Sequence, residues 1–275
     1  MSDKPPLITI ITPVYNGAEY IKPLIESVAA QDYPHIEHLV IDDGSNDDGA
    51  TVAVLEQYSH LRWWSRENRG QYPTMNEGLN AAEGEIVCFI SADDLMTPGA
   101  VQAVVDKFLA HPELDGVYGK MLWMSEDGSI RYAQEVITRG PLWFHRYKPF
   151  ISHCSLYIRK DTIERNNLLF DSSLRYLGDF DWINRIADAS LNIKFLDKVL
   201  SQVRFHEQQT SRVHADAIKV ESEMIHERHS INPQLVKRIL FILHWITIIQ
   251  AAWRAFRRGG IREVRRMANL RTVRS

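Results

Sequence analysis

Cysteine is scarce: two residues, Cys88 and Cys154, in a chain of 275. Both lie in apolar runs, so they read as small core residues rather than metal ligands or a disulfide framework, and a reducing cytosol fits. Basic-then-apolar patterning is missing from the opening Met-Ser-Asp-Lys-Pro-Pro, so secretion is not expected. No Gly-x-Gly-x-x-Gly follows the first apolar run, which disfavours a dinucleotide oxidoreductase. A Gly-x-x-x-x-Gly-Lys-Ser/Thr phosphate loop is absent too. A nucleotidyltransferase would carry a glycine-rich basic loop near the first strand, and Pro13–Gly17 has none. Internal repeats and low-complexity segments are also lacking.

What is present is ample apolar material, 45% of residues, enough for a sizeable core. The length fits one domain with an appendage, or two small domains. The formal net charge of −3 hides an asymmetry. From Lys237 onward ten basic residues accompany one acid, Glu263, so that stretch carries +9 and the preceding 236 residues −12. An acidic body with a basic tail points to the tail as the part that meets an anionic partner.

Apolar runs at Leu7–Thr12, Glu37–Ile41, Leu61–Ser65 and Ile86–Ile90 read as strands. Between them, helical spacing predicts helices over Ala18–Gln31 (Ile21, Leu24, Ile25 and Val28 inward), Ala50–Tyr58 and Met75–Ala82. Pro13–Gly17 is expected to end the first strand, with Asn16 or Gly17 starting the first helix. A further helix over Pro98–His111 turns Val101, Val104, Val105 and Phe108 inward. Short links and alternation give an α/β fold: a mostly parallel sheet with helices on both faces.

After His111 the alternation breaks. Gly116–Met124 and Ile130–Gln134 flank Asp127-Gly128, a hairpin signal. Cys154–Arg159 is another strand, and Asp161-Thr-Ile-Glu164 a capping box. Asp181–Ala189 is helical, with Trp182, Ile183 and Ile186 inward. Ile193–Leu196 and Leu200–Phe205 look like two closing strands, and Glu207–Arg212 a loop. The expected division is a body over 1–214, made of two halves (7–115 and 116–214), followed by a C-terminal helical extension over 215–275. Leu235–Phe256 is apolar but interrupted by His244, Thr247 and Gln250, short of the ~20 residues a membrane span needs. Basic flanks with Trp245 and Trp253 suit a helix lying in an anionic membrane interface. The alternative is a helix packed on the body or on a second copy, as in a homodimer.

Three acidic sets, Asp42/Asp43, Asp93/Asp94 and Asp179/Asp181, each follow a strand or open a helix. The first two fall at carboxyl ends of parallel strands, on one edge of the sheet, where such sheets bind ligands. Carboxylates there are costly unless a cation meets them, and a divalent metal carrying phosphates would do so. Taken singly, any one set reads as turn chemistry in preference to a site, since Asp-Gly and Asn-Asp are turn formers; the Asp93/Asp94 pair reads equally as a cap for the following helix. Leu39-Val-Ile-Asp-Asp43 is similar to the acid pocket of phospho-receiver domains, but those are about half this length and no partner lysine follows.

Together, Ile11-Thr-Pro-Val-Tyr-Asn-Gly-Ala-Glu-Tyr-Ile21, Leu39-Val-Ile-Asp-Asp-Gly-Ser-Asn-Asp-Asp48 and Asn80-Ala-Ala-Glu-Gly-Glu-Ile-Val-Cys-Phe-Ile-Ser-Ala-Asp-Asp94 resemble the family 2 inverting glycosyltransferases of A-type fold. The resemblance covers about residues 7–212. Glu67-Asn-Arg-Gly-Gln-Tyr72 with Asn76, Glu77 and Gly78 is similar to one branch of that family.

The resemblance implies a nucleotide diphosphate-sugar donor and a glycan or lipid-linked acceptor, as in surface polysaccharide assembly. Pro13 and Tyr15 would line the nucleobase pocket, with Tyr15 stacking, and Asp43 would accept from a base N–H. For Tyr15 the competing reading is core packing; for Arg69 it is a solvated loop charge. Asn68, Arg69, Gly70 and Asn76 would lie near the nucleotide, with Arg69 on phosphate. Ser91-Ala-Asp93 falls on the family's Asp-x-Asp motif, with Ser91 and Asp94 on the donor and Asp93 on Mg²⁺ or Mn²⁺. Ser91 departs from the usual aspartate, and Pro73 stands where that branch often has an acid. Asp179 in Leu177-Gly-Asp-Phe-Asp-Trp182 would be the catalytic base and Asp181 a helix N-terminal acid. His206 would be a further metal contact, and His153 would line the acceptor side. The expected site of action is cytoplasmic, peripheral on the inner face of the plasma membrane; no nucleic-acid partner is expected. Ser91 also motivates an alternative, a catalytically degenerate nucleotide-sugar-binding protein.

Overall fold

The computed structural model describes residues 5–133, 142–147, 149–205 and 215–242. The expectations for His206, for the 207–212 loop and for the tail beyond 242 lie outside the described residues. The chain divides into two compact units, Met1–Ile225 and His226–Ser275.

The first unit is built on one sheet ordered β3-β2-β1-β4-β8-β6-β9-β5, with β7 beside β6. Strands β1 (Ile8–Val14), β2 (Ile36–Asp42), β3 (Arg62–Ser65) and β4 (Ile86–Phe89) run parallel. Helices α1 (Ala18–Ala29), α2 (Ala50–Leu55) and α3 (Gln71–Ala81) connect them. Beyond β4 the sheet is mixed. Strand β8 (Leu156–Arg159) pairs antiparallel with both β4 and β6 (Gly116–Ser125). Strand β9 (Ile193–Phe205) runs parallel to β6 and antiparallel to the short β5 (Leu95–Met96). The expected hairpin forms between β6 and β7 (Ile130–Ala133).

Alternation along each strand divides the core into two layers. Ile8, Ile10, Ile86, Cys88 and Ile90 face a layer with α1 and with α4 (Ala100–Ala110). Ile11, Val87 and Phe89 face the other, with α3 and α6 (Gly178–Asp188). Phe89 meets Phe170 and Trp182 edge-on at 5.0 and 5.5 Å between ring centroids, while Phe170 stacks on Trp182 at 4.5 Å. Such pairs add about 0.5–1.5 kcal/mol each beyond area burial. They fasten α6 under β4, as the inward Trp182, Ile183 and Ile186 led one to expect.

Several boundaries differ from the sequence reading for local reasons. Strand β1 runs through Pro13 to Val14. Its pairing with β4 stops at Ile11↔Phe89, so the missing proline N–H is not needed on that side. Helix α3 starts at Gln71, a turn earlier than expected, because Pro73 lies in the first turn, where the N–H has no helical partner. The two closing strands are one strand, β9, and register shifts against β6 absorb the polar Asp197-Lys198 step. Helix α5 (Lys160–Arg165) has no side-chain cap; Asp161 lies in its first turn, so the capping box does not form. Helix α7 (Ala215–Arg228) is followed by a break, and residues 233–242 are helical again.

Candidate active site

The carboxyl ends of β1, β2 and β4 form one edge, and the polar turns there are held by a web of charges. Asp43, just past β2, is buried and accepts the backbone N–H of Arg69 at 2.8 Å and of Gly70 at 2.9 Å. Its other partner is the Arg66 guanidinium, which also reaches Glu77 (2.8 Å) and Thr74 (2.7 Å). Asp43 therefore ties down the 66–70 turn, with Arg66 as its counter-charge. Gly70 takes φ 93°, open to glycine alone at little strain, and so hands its N–H to Asp43 while opening α3. Asp42 is buried and accepts from Ser45 and Ser65, as a turn-forming acid does.

Tyr15, at the end of β1, is 49% exposed, and its hydroxyl donates to Asn46 at 3.3 Å. Core packing, the competing reading, is thereby removed: the ring presents a face to solvent beside the Asp43 turn. Pro13 is buried within β1. Arg69 contributes its backbone N–H to Asp43 while its side chain is exposed. Asn76 exchanges two hydrogen bonds with the Phe170 backbone, at 2.8 and 2.9 Å, so its amide joins α3 to the 168–174 loop rather than facing the edge.

After β4 the two adjacent acids part company. Asp93 is partly exposed. Asp94 is 3% exposed and accepts from the Cys154 thiol (3.0 Å) and the Arg204 backbone N–H (3.0 Å). Burial, then the neighbouring Cys154 and Asp93, push its pKa well above the usual carboxylate range. Asp94 thus knits the turn after β4 to β9 instead of facing a donor, a correction to the expectation: the Cys154 thiol and the β9 backbone enclose it, while Asp93 stays partly exposed. Arg204, buried, donates to the Asp93 carbonyl at 2.9 Å and lies over the Tyr20 ring at 5.2 Å.

Asp179 opens α6. Its Oδ1 accepts the Phe180 N–H at 2.8 Å and faces the Tyr72 hydroxyl at 3.5 Å; its Oδ2 faces His153 Nδ1 at 3.2 Å. The other ring nitrogen of His153 meets Ser91 Oγ at 3.3 Å. One line of contacts, Ser91–His153–Asp179, therefore joins the turn after β4 to the start of α6. Burial alone would raise the Asp179 pKa, but the hydrogen bond and charge of His153 outweigh it and hold the carboxyl below its ordinary value. For His153 burial acts downward, and Asp179, Asp94 and Asp93 together overcome it and raise the pKa. Asp179 remains 35% exposed, whereas Asp181 is fully buried on Arg185 at 2.8 Å. Only glycine fits at 178, since a Cβ there would lie 2.6 Å from the Tyr72 ring.

Among the described residues no three His, Cys, Asp or Glu side chains gather as a metal site. Mg²⁺ and Mn²⁺ held mainly by substrate phosphates need only one or two protein carboxylates, and the partly exposed Asp93 suits that arrangement. Sequence reading missed Arg66 and Arg204. The only available signal was a cation within a few residues of a motif already picked out.

Residues 9–178 match the sequence model of Glycosyl transferase family 2. An uncharacterized glycosyltransferase of Rickettsia bellii is 32% identical over 219 residues, covering 75% of this chain and 31% of that one. RT0329, an uncharacterized glycosyltransferase of Rickettsia typhi, is 30% identical over 218 residues, covering 75% of this chain and 66% of its own. The uncharacterized glycosyltransferase YibD of Escherichia coli K12 is 26% identical over 239 residues, 82% of this chain and 68% of its own. The chain spans about a third of the length of the R. bellii, R. felis and R. conorii relatives. Among solved structures, residues 1–349 of S. aureus TarS in complex with UDP-GlcNAc superpose with a TM-score of 0.61 at 25% identity, covering 74% of this chain and 60% of that one.

Proposed function

The chain belongs to glycosyl transferase family 2, with its A-type fold, and from that premise we propose that it transfers a sugar, with inversion, from a nucleoside diphosphate sugar to an acceptor hydroxyl. The observation that carries the reading is Asp179. It is a partly exposed carboxylate, kept ionised by His153, and linked through that histidine to the turn bearing Ser91 and Asp93. In the proposed step Asp179 accepts the acceptor hydroxyl's proton as that oxygen bonds to the anomeric carbon. The bond from the anomeric carbon to the diphosphate breaks on the opposite face, and the diphosphate leaves with the electron pair. A single displacement of this kind needs no covalent enzyme intermediate.

Tyr15 would offer the nucleobase a stacking face, and Arg69, whose side chain is exposed, would meet phosphate. Bound at Asp93, Mg²⁺ or Mn²⁺ would neutralise charge on the leaving diphosphate. The S. aureus TarS fragment is solved with UDP-GlcNAc, so uridine diphosphate sugars are the first donors to try. A membrane-presented acceptor is supported by the exposed Leu240, Phe241 and Ile242 at the threshold of the basic tail. No helix among the described residues is long and apolar enough to cross a membrane.

The test is a panel of UDP-, GDP-, dTDP-, CDP- and ADP-sugars, with and without Mn²⁺, read by thermal shift and by release of the nucleoside diphosphate. One base should stabilise the protein, as a ligand of the folded state must. Asp179→Asn should abolish release and keep that stabilisation. Undiminished release by the variant would sink the base assignment. Stabilisation without any release by the wild type would favour a protein that binds nucleotide sugars and no longer transfers them.

A further inference from the structure

Helix α6 begins without a cap of its own. Its N-cap, Leu177, offers no capping side chain, although Asp181 already donates its N–H to the Leu177 carbonyl at 3.0 Å. Helix starts leave N–H groups unpaired, and the exposed donors favour a nearby negative charge. Here a carboxylate comes from far along the chain. Glu221, on α7, accepts three consecutive backbone N–H groups: Arg175 at 2.6 Å, Tyr176 at 2.9 Å and Leu177 at 2.9 Å. The next two residues are Gly178 and Asp179.

Two buried side chains one turn apart hold this face of α7. Glu221 is 9% exposed, and Ile225 is fully buried in the same apolar layer as Trp182 and Ile183. Val220 and Met224, on other faces of the helix, are exposed. The region matching the family model ends at residue 178, so this carboxylate lies 43 residues beyond it. Each N–H-to-carboxylate bond is charge-assisted and short, which makes three of them on successive residues a rigid clamp.

We propose that Glu221 is a positioning residue for Asp179: it holds the 175–177 turn so that α6 presents the Asp179 carboxylate at the sheet edge, and turnover therefore depends on α7. This rests on the reading of Asp179 as the base. Displacing a reacting group by about 1 Å can cost on the order of a hundredfold in rate. A loosened clamp is accordingly expected to lower turnover by about ten- to a hundredfold and to leave donor affinity unchanged, because Tyr15 and Arg69, the groups proposed to meet the donor, belong to other turns.

The experiment compares Glu221→Gln and Glu221→Asp with wild type and Asp179→Asn, using the donor that the panel above selects. Amide hydrogen exchange at residues 175–177 reports the clamp without reference to activity. Exchange there should rise in Glu221→Gln, turnover should fall at unchanged donor affinity, and Glu221→Asp should recover part of both. In the Asp179→Asn background Glu221→Gln should change turnover no further. Wild-type turnover with faster exchange at 175–177 would overturn the proposal. So would loss of protection across the whole chain, or a donor affinity that falls in step with turnover, since either makes Glu221 a residue of general stability. Retained transfer by Asp179→Asn would instead defeat the base reading, while the exchange at 175–177 would still report whether the clamp exists.

Discussion

Acidification should destabilise this fold through one buried ring. His38 lies in β2, buried, with Nε2 3.1 Å from Thr12 Oγ1 and with Nδ1 enclosed and lacking a hydrogen-bond partner. Protonation would add an N–H and a charge where nothing accepts either. Burial, reinforced by His60, lowers the His38 pKa from 6.5 to about 3. The unfolded chain titrates near 6.5, so below that pH it binds the proton first and the folded state loses ground, down to about pH 3. One pH unit within that window is worth about 1.4 kcal/mol, so going from pH 7 to pH 5 removes about 2 kcal/mol through His38 alone. His145, pushed down to about 4 by burial against the opposing pull of Asp179, acts in the same direction. His153 acts oppositely: its raised pKa means its contribution is fully present below 6.5 and is lost as pH rises through the folded value. The assay is urea unfolding at both pH values for wild type and His38→Gln. The variant should show a pH dependence weaker by about 2 kcal/mol. Identical pH dependence in the two proteins would refute the account of the buried ring.

Two further substitutions probe the site edge. Replacing His153 by glutamine removes the group that lowers the Asp179 pKa; the acid limb of the rate–pH profile should move to higher pH and turnover should fall about tenfold or more. An unmoved limb would detach His153 from the base. Arg66→Ala leaves Asp43 buried with its two backbone donors and no counter-charge, and should destabilise by about 3 kcal/mol in the same urea assay. A change below about 0.5 kcal/mol would mean the pair is replaceable by water.

The parallel half of the sheet was readable because each of its buried strands is a short apolar run followed by turn formers, as in Ile86–Phe89 before Ser91. The three acidic sets were readable for the same reason. How each acid is used was not. Asp93 and Asp94 are alike as letters, and only the passage of β9, with Arg204 more than a hundred residues later, buries one and leaves the other partly exposed. Asp43 looked like a ligand-facing acid, but its partner Arg66 is brought by the next strand-to-helix turn. Helix α3 was started late because Gly70 and Pro73 have the composition of a loop, although one supplies a positive φ and the other a first-turn position. Glu221 was invisible in sequence: its three partners are 44 to 46 residues away, and a helical glutamate ordinarily faces water.

The order of the sheet has a consequence for how the molecule is made. Strand β4, Ile-Val-Cys-Phe, gains its second neighbour only when β8 is synthesised, some seventy residues later. Until then the nascent chain carries an apolar edge with unpaired peptide groups, a template for pairing with other chains. The contacts from Arg204 to the Asp93 carbonyl and to Asp94 span 111 and 110 residues. Loop closure over such distances slows folding. Folding yield at 37 °C, more than the stability of the finished protein, should therefore decide how much active material a cell or an expression host obtains. A chaperone that shields β4 until β8 arrives should raise that yield without altering the product.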